Sequence, residues 1–398
     1  MSININRHKS IAIIGSGEMA VIIADEARRM GIYSHSFSNN PIDRVVGHSD
    51  QHHNVDIFNI NQLVSICREL CISGVISTTE LTVSIAAKIA HELSLNGMPV
   101  DVSEMVTDKG FVRAKVSTVD SIKQPTYCIW NVGDRLPEIL KYPVVVKPTS
   151  MGGKRGVSVV GTDKELESAI NYSVENMPAL KTRIIIEEYI SGGKEYSVES
   201  LSFHGSHKVI QVTEKITSGP PHCVELGHMQ PAEISEKIRR EIESAIPKLL
   251  SAVGVDNTTS HTEIKIVEED IYLIEINARS GGDHIAYPLT ELSTGYKYIQ
   301  GAIDIAMGGY EEPNTDKFSR NHSGIIFITK QTSQFKYLFE ECEKYSWLYE
   351  KNKTSEELKE IINNQAFDTN YMIYKSDEGI PHEIKRLLVE QNRWEAKL

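Results

Sequence analysis

Two neighbouring runs restrict the fold more than anything else in the chain. Residues 261–267 (HTEIKIV) and 271–277 (IYLIEIN) are rich in β-branched and apolar residues, and only Glu268-Glu269-Asp270 separates them. Closing that three-residue connection as a hairpin sets Val267 opposite Ile271, Lys265 opposite Leu273 and Glu263 opposite Glu275. Side chains on a strand alternate faces, so Ile264, Ile266, Tyr272, Ile274 and Ile276 form an apolar face for a core. Glu263 and Glu275 then share the other face. Opposed residues in an antiparallel pair have Cβ atoms about 4.5–5.5 Å apart, and like charges there repel. A cation between the two carboxylates relieves that; an ordinary edge hairpin with an acidic face is the plainer reading.

The residues that follow add to the first reading. While extended geometry lasts, Glu275, Asn277 and Arg279 point the same way. Glu263, Glu275 and Asn277 offer hard oxygens of the kind Mg²⁺ prefers, and Mg²⁺ usually shares them with a substrate phosphate. Arg279 adds a planar donor suited to phosphate or carboxylate. Ser280-Gly281-Gly282-Asp283 closes the stretch.

A chain of 398 residues exceeds one small core and implies two or three domains. The net charge of −12 argues against a nucleic-acid or anionic-membrane surface. No apolar run approaches the roughly 20 residues of a spanning helix. Residues 1–9 lack the apolar stretch of a signal peptide. Cys67, Cys71, Cys128, Cys223 and Cys342 form no CxxC pattern. A cytoplasmic protein with free thiols is the expectation.

In chain order, residues 11–14 read as a buried strand, followed by Gly15-Ser16-Gly17 and a helix to about 30. GxGxxA invites a dinucleotide reading. The next strand ends in Ser38-Asn39-Asn40, where an acid should hold the ribose, so a tight turn packing a helix on a sheet is favoured. Strand and helix alternate to about residue 93, which implies a parallel sheet covered by helices. His48, His52 and His53 read as solvated loop residues. The pattern loosens over 99–105. Residues 142–148 form a short strand ending at Lys147, before the flexible loop 149–156 with Gly152, Gly153, Lys154, Arg155 and Gly156. Glycines expose backbone N–H groups to phosphate, and Lys and Arg add positive charge. A mobile basic hairpin is the alternative. Residues 218–231 hold too many turn residues for a regular element and read as a loop, with Glu225 and His228 as its chemical groups. Helices are expected over 234–253, 290–307, 355–362 and 383–391, and a strand over 324–329.

Together these motifs resemble the ATP-grasp superfamily of carboxylate–amine ligases, over roughly residues 8–305. The resemblance implies an α/β chain, α+β in its nucleotide domain. Residues 1–105 would form a Rossmann-like parallel sheet. Residues 106–305 would form the ATP-grasp domain, two α+β subdomains with ATP between them and a lid at about 125–190. Residues 306–398 would form a small α+β region completing that core. It also implies ATP contacts from Lys109 in its Asp-Lys pair, Lys147, the glycine-rich loop, the hinge residues Glu187, Glu188, Tyr189 and Ile190, and Glu195 for the ribose. Glu263, Glu275 and Asn277 would hold Mg²⁺, two ions, with Mn²⁺ able to substitute. Glu-x-Gly-His at 225–228 and Asn-x-Arg-x-Gly-Gly-Asp at 277–283 look like the L-amino-acid ligases that make dipeptides. On that likeness Glu225, His228, Arg279, Gly282 and Asp283 contact the amino-acid substrate, with Arg279, His228 and Lys147 closest to the reaction. The implied activity is amide formation through an acyl phosphate, with amino acids and ATP as partners and a homodimer left open. Rival readings are a purine-type or bicarbonate-activating ligase of the same superfamily, a nucleotide-binding regulator without activity, and an NAD-dependent oxidoreductase.

Overall fold

The computed structural model describes residues 9–139, 141–152, 155–177, 183–219, 223–362 and 368–395. Its first layer is a parallel sheet of β1 (Ser10–Ile14), β2 (Tyr33–Ser38), β3 (Gln51–Asn54) and β4 (Gly74–Ser77), in the order β3-β2-β1-β4. Every residue of β1 is buried, as expected of a central parallel strand covered on both faces. Helix α1 (Glu18–Arg29) covers one face; α2 (Ile60–Glu69) and α3 (Val83–Glu92) cover the other. The loosened stretch before residue 106 contains a short helix, α4 (Val100–Met105), which follows Pro99 and had no signal beyond that proline. His52 and His53 sit on strand β3, not in a loop, and His53 stacks on Phe37 with ring centroids 4.6 Å apart.

After α5 (Lys109–Lys115) comes a small antiparallel sheet. It comprises β5 (Tyr127–Asn131), β6 (Val144–Pro148), β7 (Ser158–Val160) and, beyond helix α6 (Asp163–Glu175), β8 (Arg183–Glu188), in the order β5-β8-β6-β7. Its apolar side holds Trp130, Val146, Leu166, Ile170 and Ile184.

The third layer is an eight-stranded antiparallel sheet. It contains β9 (Lys194–Phe203), β10 (Ser206–Thr217), β11 (Glu225–Gln230), β12 (Thr258–Val267), β13 (Asp270–Asn277), β14 (His322–Ile328), β15 (Leu348–Asn352) and β16 (Asn370–Ser376), in the order β13-β12-β9-β10-β11-β14-β16-β15. The strands after residue 306 therefore extend the same sheet. Helix α7 (Glu236–Val253) packs beneath it through Ile238, Ile242, Ala245, Ile246, Leu249, Leu250 and Val253. That three-and-four spacing is one helical face. Ser235 caps its start by accepting from the Ile238 N–H, and Gly254 ends it at φ 86°.

The expected helix over 290–307 breaks at Gly295 (φ 73°) into α8 (Thr290–Thr294) and α9 (Tyr298–Ala306). A short helix, α10 (Lys336–Glu341), and a longer one, α11 (His382–Glu395), follow. Residues 355–362 form no helix. Their backbone groups are taken from elsewhere: Asn370 Oδ1 accepts from the Thr354 and Ser355 N–H groups, and Lys359 O accepts from the Lys330 N–H.

Candidate active site

The hairpin β12–β13 does set Glu263 opposite Glu275, by a different route from the one expected. The connection is two residues, with Val267 opposite Asp270 and Glu268 at φ 57°. A bulge between Glu263 and Ile264 then slips the register by one, which restores the carboxylate pair. The bulge also turns the outer half of β13 over. Ile271 and Leu273 enter the core, while Tyr272 and Ile274 do not. Lys265 faces Tyr272, not Leu273.

The two carboxylates do not face each other bare. Glu275 Oε1 lies 3.1 Å from Lys109 Nζ, and Glu263 Oε1 lies 3.0 Å from Lys215 Nζ. Both acids stay partly open to the cleft, with side-chain exposures of 20% and 26%. Hard oxygens that are opposed in register and open to a cleft fit Mg²⁺. Asn277 is buried in register with His261.

One cleft of 410 Å³ lies between the small sheet and the large one. It gathers Lys109, Lys147, Gly152, Arg155, Glu187, Glu188, Tyr189, Ile190, Glu195, Glu263 and Glu275, sequence-predicted residues from five separate segments. Gly153 and Lys154 lie outside the described residues. The buried carboxylate of Glu187 takes Lys147 Nζ at 2.5 Å and Arg113 Nε at 2.7 Å. Burial alone would raise its pKa, but the two cations overcome that and hold it at about 2. Lys109 donates to Met151 O as well as pairing with Glu275. Burial opposes its charge, and Glu275 and Glu80 outweigh burial.

Glu225 and His228 lie on strand β11, not in a loop. β11 pairs with β10 on one side and β14 on the other, so His228 is fully buried in mid-sheet. Glu225 Oε1 is 3.1 Å from Lys215 Nζ, so one lysine joins Glu225 to Glu263. His228 Nε2 is 3.4 Å from Glu225 Oε2, yet neither ring nitrogen has hydrogen-bond geometry to a partner. Burial pushes the imidazole down to about 3, so it is neutral. Asp283, at φ 50°, makes no hydrogen bond or ion pair among the described residues. Burial, then Glu225, push its carboxyl up to about 7 against Lys215 and Arg279. Ligand atoms of Glu225, His228 and Asp283 lie within 4.8 Å of one another. Arg279, whose Nη1 donates to Ser280 O, lines the same cavity as Glu225, Gly282 and Asp283.

Several groups here carried no local signal. Glu199 is fully buried, accepts from the Gly281 N–H at 3.1 Å and lies 2.5 Å from His261 Nδ1. His261 Nε2 is 3.4 Å from Glu263. Burial opposes its protonation, but Glu199 raises it to about 9. A Cβ at Gly281 would sit 2.8 Å from Glu199 Oε2, so only glycine admits this anchor. Lys215, Arg113 and Glu80 likewise come from segments remote from their partners.

A model of the ATP-grasp domain matches residues 140–287. The alanine–anticapsin ligase of Bacillus subtilis (strain 168) is 23% identical over 394 residues, covering 93% of this chain and 77% of that protein. Further relatives of that name match over 59% of their length. The crystal structure of an L-amino acid ligase from Bacillus licheniformis superposes with a TM-score of 0.80 at 23% identity, covering 98% of both chains. That of phosphoribosylglycinamide synthetase from Anaerococcus prevotii gives 0.71 at 18%, covering 97% of this chain and 98% of the other. Enzymes of this kind use ATP with Mg²⁺. No helix among the described residues is long and apolar enough to cross a membrane. With an ATP-grasp domain over residues 140–287 and likeness to such ligases along nearly its whole length, the chain resembles the ATP-grasp carboxylate–amine ligases, ATP-dependent enzymes that form C–N bonds.

Proposed function

We propose that the chain joins an L-amino acid to a second amine through an acyl phosphate. The donor's carboxylate oxygen attacks the γ-phosphorus of ATP, the bond to the β-phosphate breaks, and ADP forms. The neutral amine then attacks the acyl carbon, inorganic phosphate leaves with the C–O electrons, and the amine gives up a proton. In this reading Lys109, Lys147, Arg155 and the glycine loop bind the phosphates. Lys154 would join them. Glu187–Ile190 and Glu195 receive the nucleoside. Glu263, Glu275 and Asn277 would hold Mg²⁺, two ions in all, which when bound neutralises charge on the phosphate oxygens. Arg279 takes the donor carboxylate and the transferring phosphoryl oxygens. We also keep the divisions near residues 105 and 305, a lid at about 125–190, a cytoplasmic setting and a homodimer as parts of this reading.

One observation carries the choice of an amino acid. Glu225, Asp283 and neutral His228 gather beside Arg279, with Lys215 paired to Glu225 and no ion pair to Asp283 among the described residues. Asp283 is a buried acid without an ion pair among the described residues, and an ammonium supplies one while Arg279 meets the carboxylate. A phosphorylated or bicarbonate substrate supplies no cation there. The test is phosphate release with ATP, Mg²⁺ and each amino acid in turn, with hydroxylamine trapping the activated one as its hydroxamate. The expected result is ATP turnover that depends on a subset of L-amino acids. Indifference to every amino acid, with a response to bicarbonate or a phosphoribosyl amine, would sink this reading and leave the ligase class intact.

A further inference from the structure

The cavity next to the nucleotide cleft has a volume of 970 Å³, several times what one amino acid needs. The donor reading uses one end of it, around Glu225, Arg279 and Asp283. The opposite wall comes from the N-terminal region, and its polar groups fall in a row. Glu80 opens the 3₁₀ turn Glu80–Thr82, which runs directly into α3, and Ser84 and Lys88 follow at four-residue steps. All three line the cavity, as their spacing on one helical face requires.

The row has a reacting end and a remote end. The Glu80 carboxylate lies in the field of Glu275, Lys109, Arg279 and Arg155. It also abuts the lid loop, where a Cβ on Gly152 would collide with Glu80 Oε2. Glu80 makes no ion pair within 4 Å among the described residues. Lys88 stands two turns further on, with Nζ 2.6 Å from Glu104 Oε1 of α4, and Glu104 lines the same cavity. Eight residues of helix rise about 12 Å, which is the reach of roughly three extended residues. An α-amino acid carries both its charges on one carbon and cannot address both ends.

Resting on the amide-ligase reading above, we propose that the acceptor lies along Glu80, Ser84 and Lys88, with its ammonium at Glu80 and its carboxylate at Lys88. The acceptor is then a short peptide, not a single amino acid. Its amine is delivered from the N-terminal wall to the acyl carbon held at Arg279, while the Lys88–Glu104 pair opens to receive the far carboxylate.

The experiment fixes the donor that gives most hydroxamate and varies the acceptor: an amino acid, the derived di- and tripeptides, and their C-terminal amides. Hydroxylamine reports donor activation without engaging the far wall. We expect kcat/KM to rise about tenfold from amino acid to peptide, and amidation to remove most of the gain, as loss of one charge contact would. Lys88→Met should lower kcat/KM for free-acid peptides about fivefold and barely affect the amides, in line with a half-exposed ion contact. Glu80→Gln should lower peptide coupling about tenfold more than it lowers hydroxamate formation. Hydroxamate formation with no preference for acceptor length, or equal effects of Lys88→Met on acids and amides, overturns this proposal alone. Absence of any hydroxamate removes the donor reading and this one with it.

Discussion

The cleft proposed for the nucleotide and the cavity proposed for the amino acid share Lys215 and Glu263 and treat charge in opposite ways. In the first cleft, buried Glu187 has Lys147 and Arg113, and half-buried Glu275 has Lys109. In the amino-acid cavity Glu225 and Glu263 share Lys215, Asp283 has no ion pair among the described residues, and His228 is neutral with bare ring nitrogens. A buried charge without a partner costs several kcal/mol. The first cleft avoids that cost before any ligand arrives, because its acids are paired with cations, the ones proposed to meet phosphate. The second leaves part of the cost in place, and a bound ammonium removes it. On the proposed reading, one side is assembled in advance for an anion and the other is completed by a cation.

The largest effect should come from breaking the prepaired side. Glu187→Gln leaves Lys147 and Arg113 buried without their counter-charge, and we expect a loss of about 3–5 kcal/mol in urea unfolding. The wild-type pair also sets a pH dependence. Glu187 is held at about 2 against an ordinary 4.5, so its contribution is complete above 4.5 and is lost as pH falls toward 2. A variant less than about 1 kcal/mol weaker than wild type would show that the cleft is not prepaired through Glu187. Next in size is Arg279→Lys, where a planar fork becomes a point charge. Turnover should fall about a hundredfold, as for loss of one placed oxyanion donor. An effect on ATP affinity alone would remove Arg279 from the transferring phosphoryl group.

How much of this was legible differs between the two sides for physical reasons. The pairing of Glu263 with Glu275 could be read from the hairpin, but the reading assumed a three-residue turn. The two-residue turn and the bulge shift the register in opposite senses, so the carboxylates met while the core face of β13 was misassigned. Bulges depend on what packs above and below a strand, which alternation does not report. On the amino-acid side, Glu-Leu-Gly-His-Met-Gln has a glycine and four polar or soft residues, so no strand signal. It is a strand because β10 and β14 flank it. Residues 355–362 fail the opposite way. Their composition favours a helix, but Asn370 takes the N–H groups that would start one. Lys215, Glu199 and Arg113 meet partners 48, 62 and 74 residues away, and nothing local marks such contacts.

A smaller change should show that the second cavity is completed by its ligand. Glu225→Gln removes one acid from the group that faces the donor ammonium, while Lys215 keeps Glu263. We expect KM for the donor amino acid to rise about tenfold, the worth of roughly 1.4 kcal/mol, with KM for ATP moving far less. Equal changes in both constants would mean that Glu225 acts through Lys215 on the whole site.

The smallest expected effect sharpens the comparison most, because the two sides should titrate with opposite signs. Asp283 is pushed up to about 7 from an ordinary 3.8 by burial and by Glu225. In that window the folded, unliganded protein binds a proton that the unfolded chain has released. Stability without amino acid should therefore decline as pH rises from about 4 to 7, the reverse of the Glu187 contribution. The ionised form is the one that attracts an ammonium, so donor affinity should strengthen about threefold as pH rises through 7. Asp283→Asn cannot ionise and should flatten both profiles. The checks are thermal unfolding against pH with and without the donor, and donor KM against pH for both proteins. A wild-type stability that rises over the same window, or a pH profile of donor KM that survives in Asp283→Asn, would assign the titration to another group and leave Asp283 a neutral turn residue.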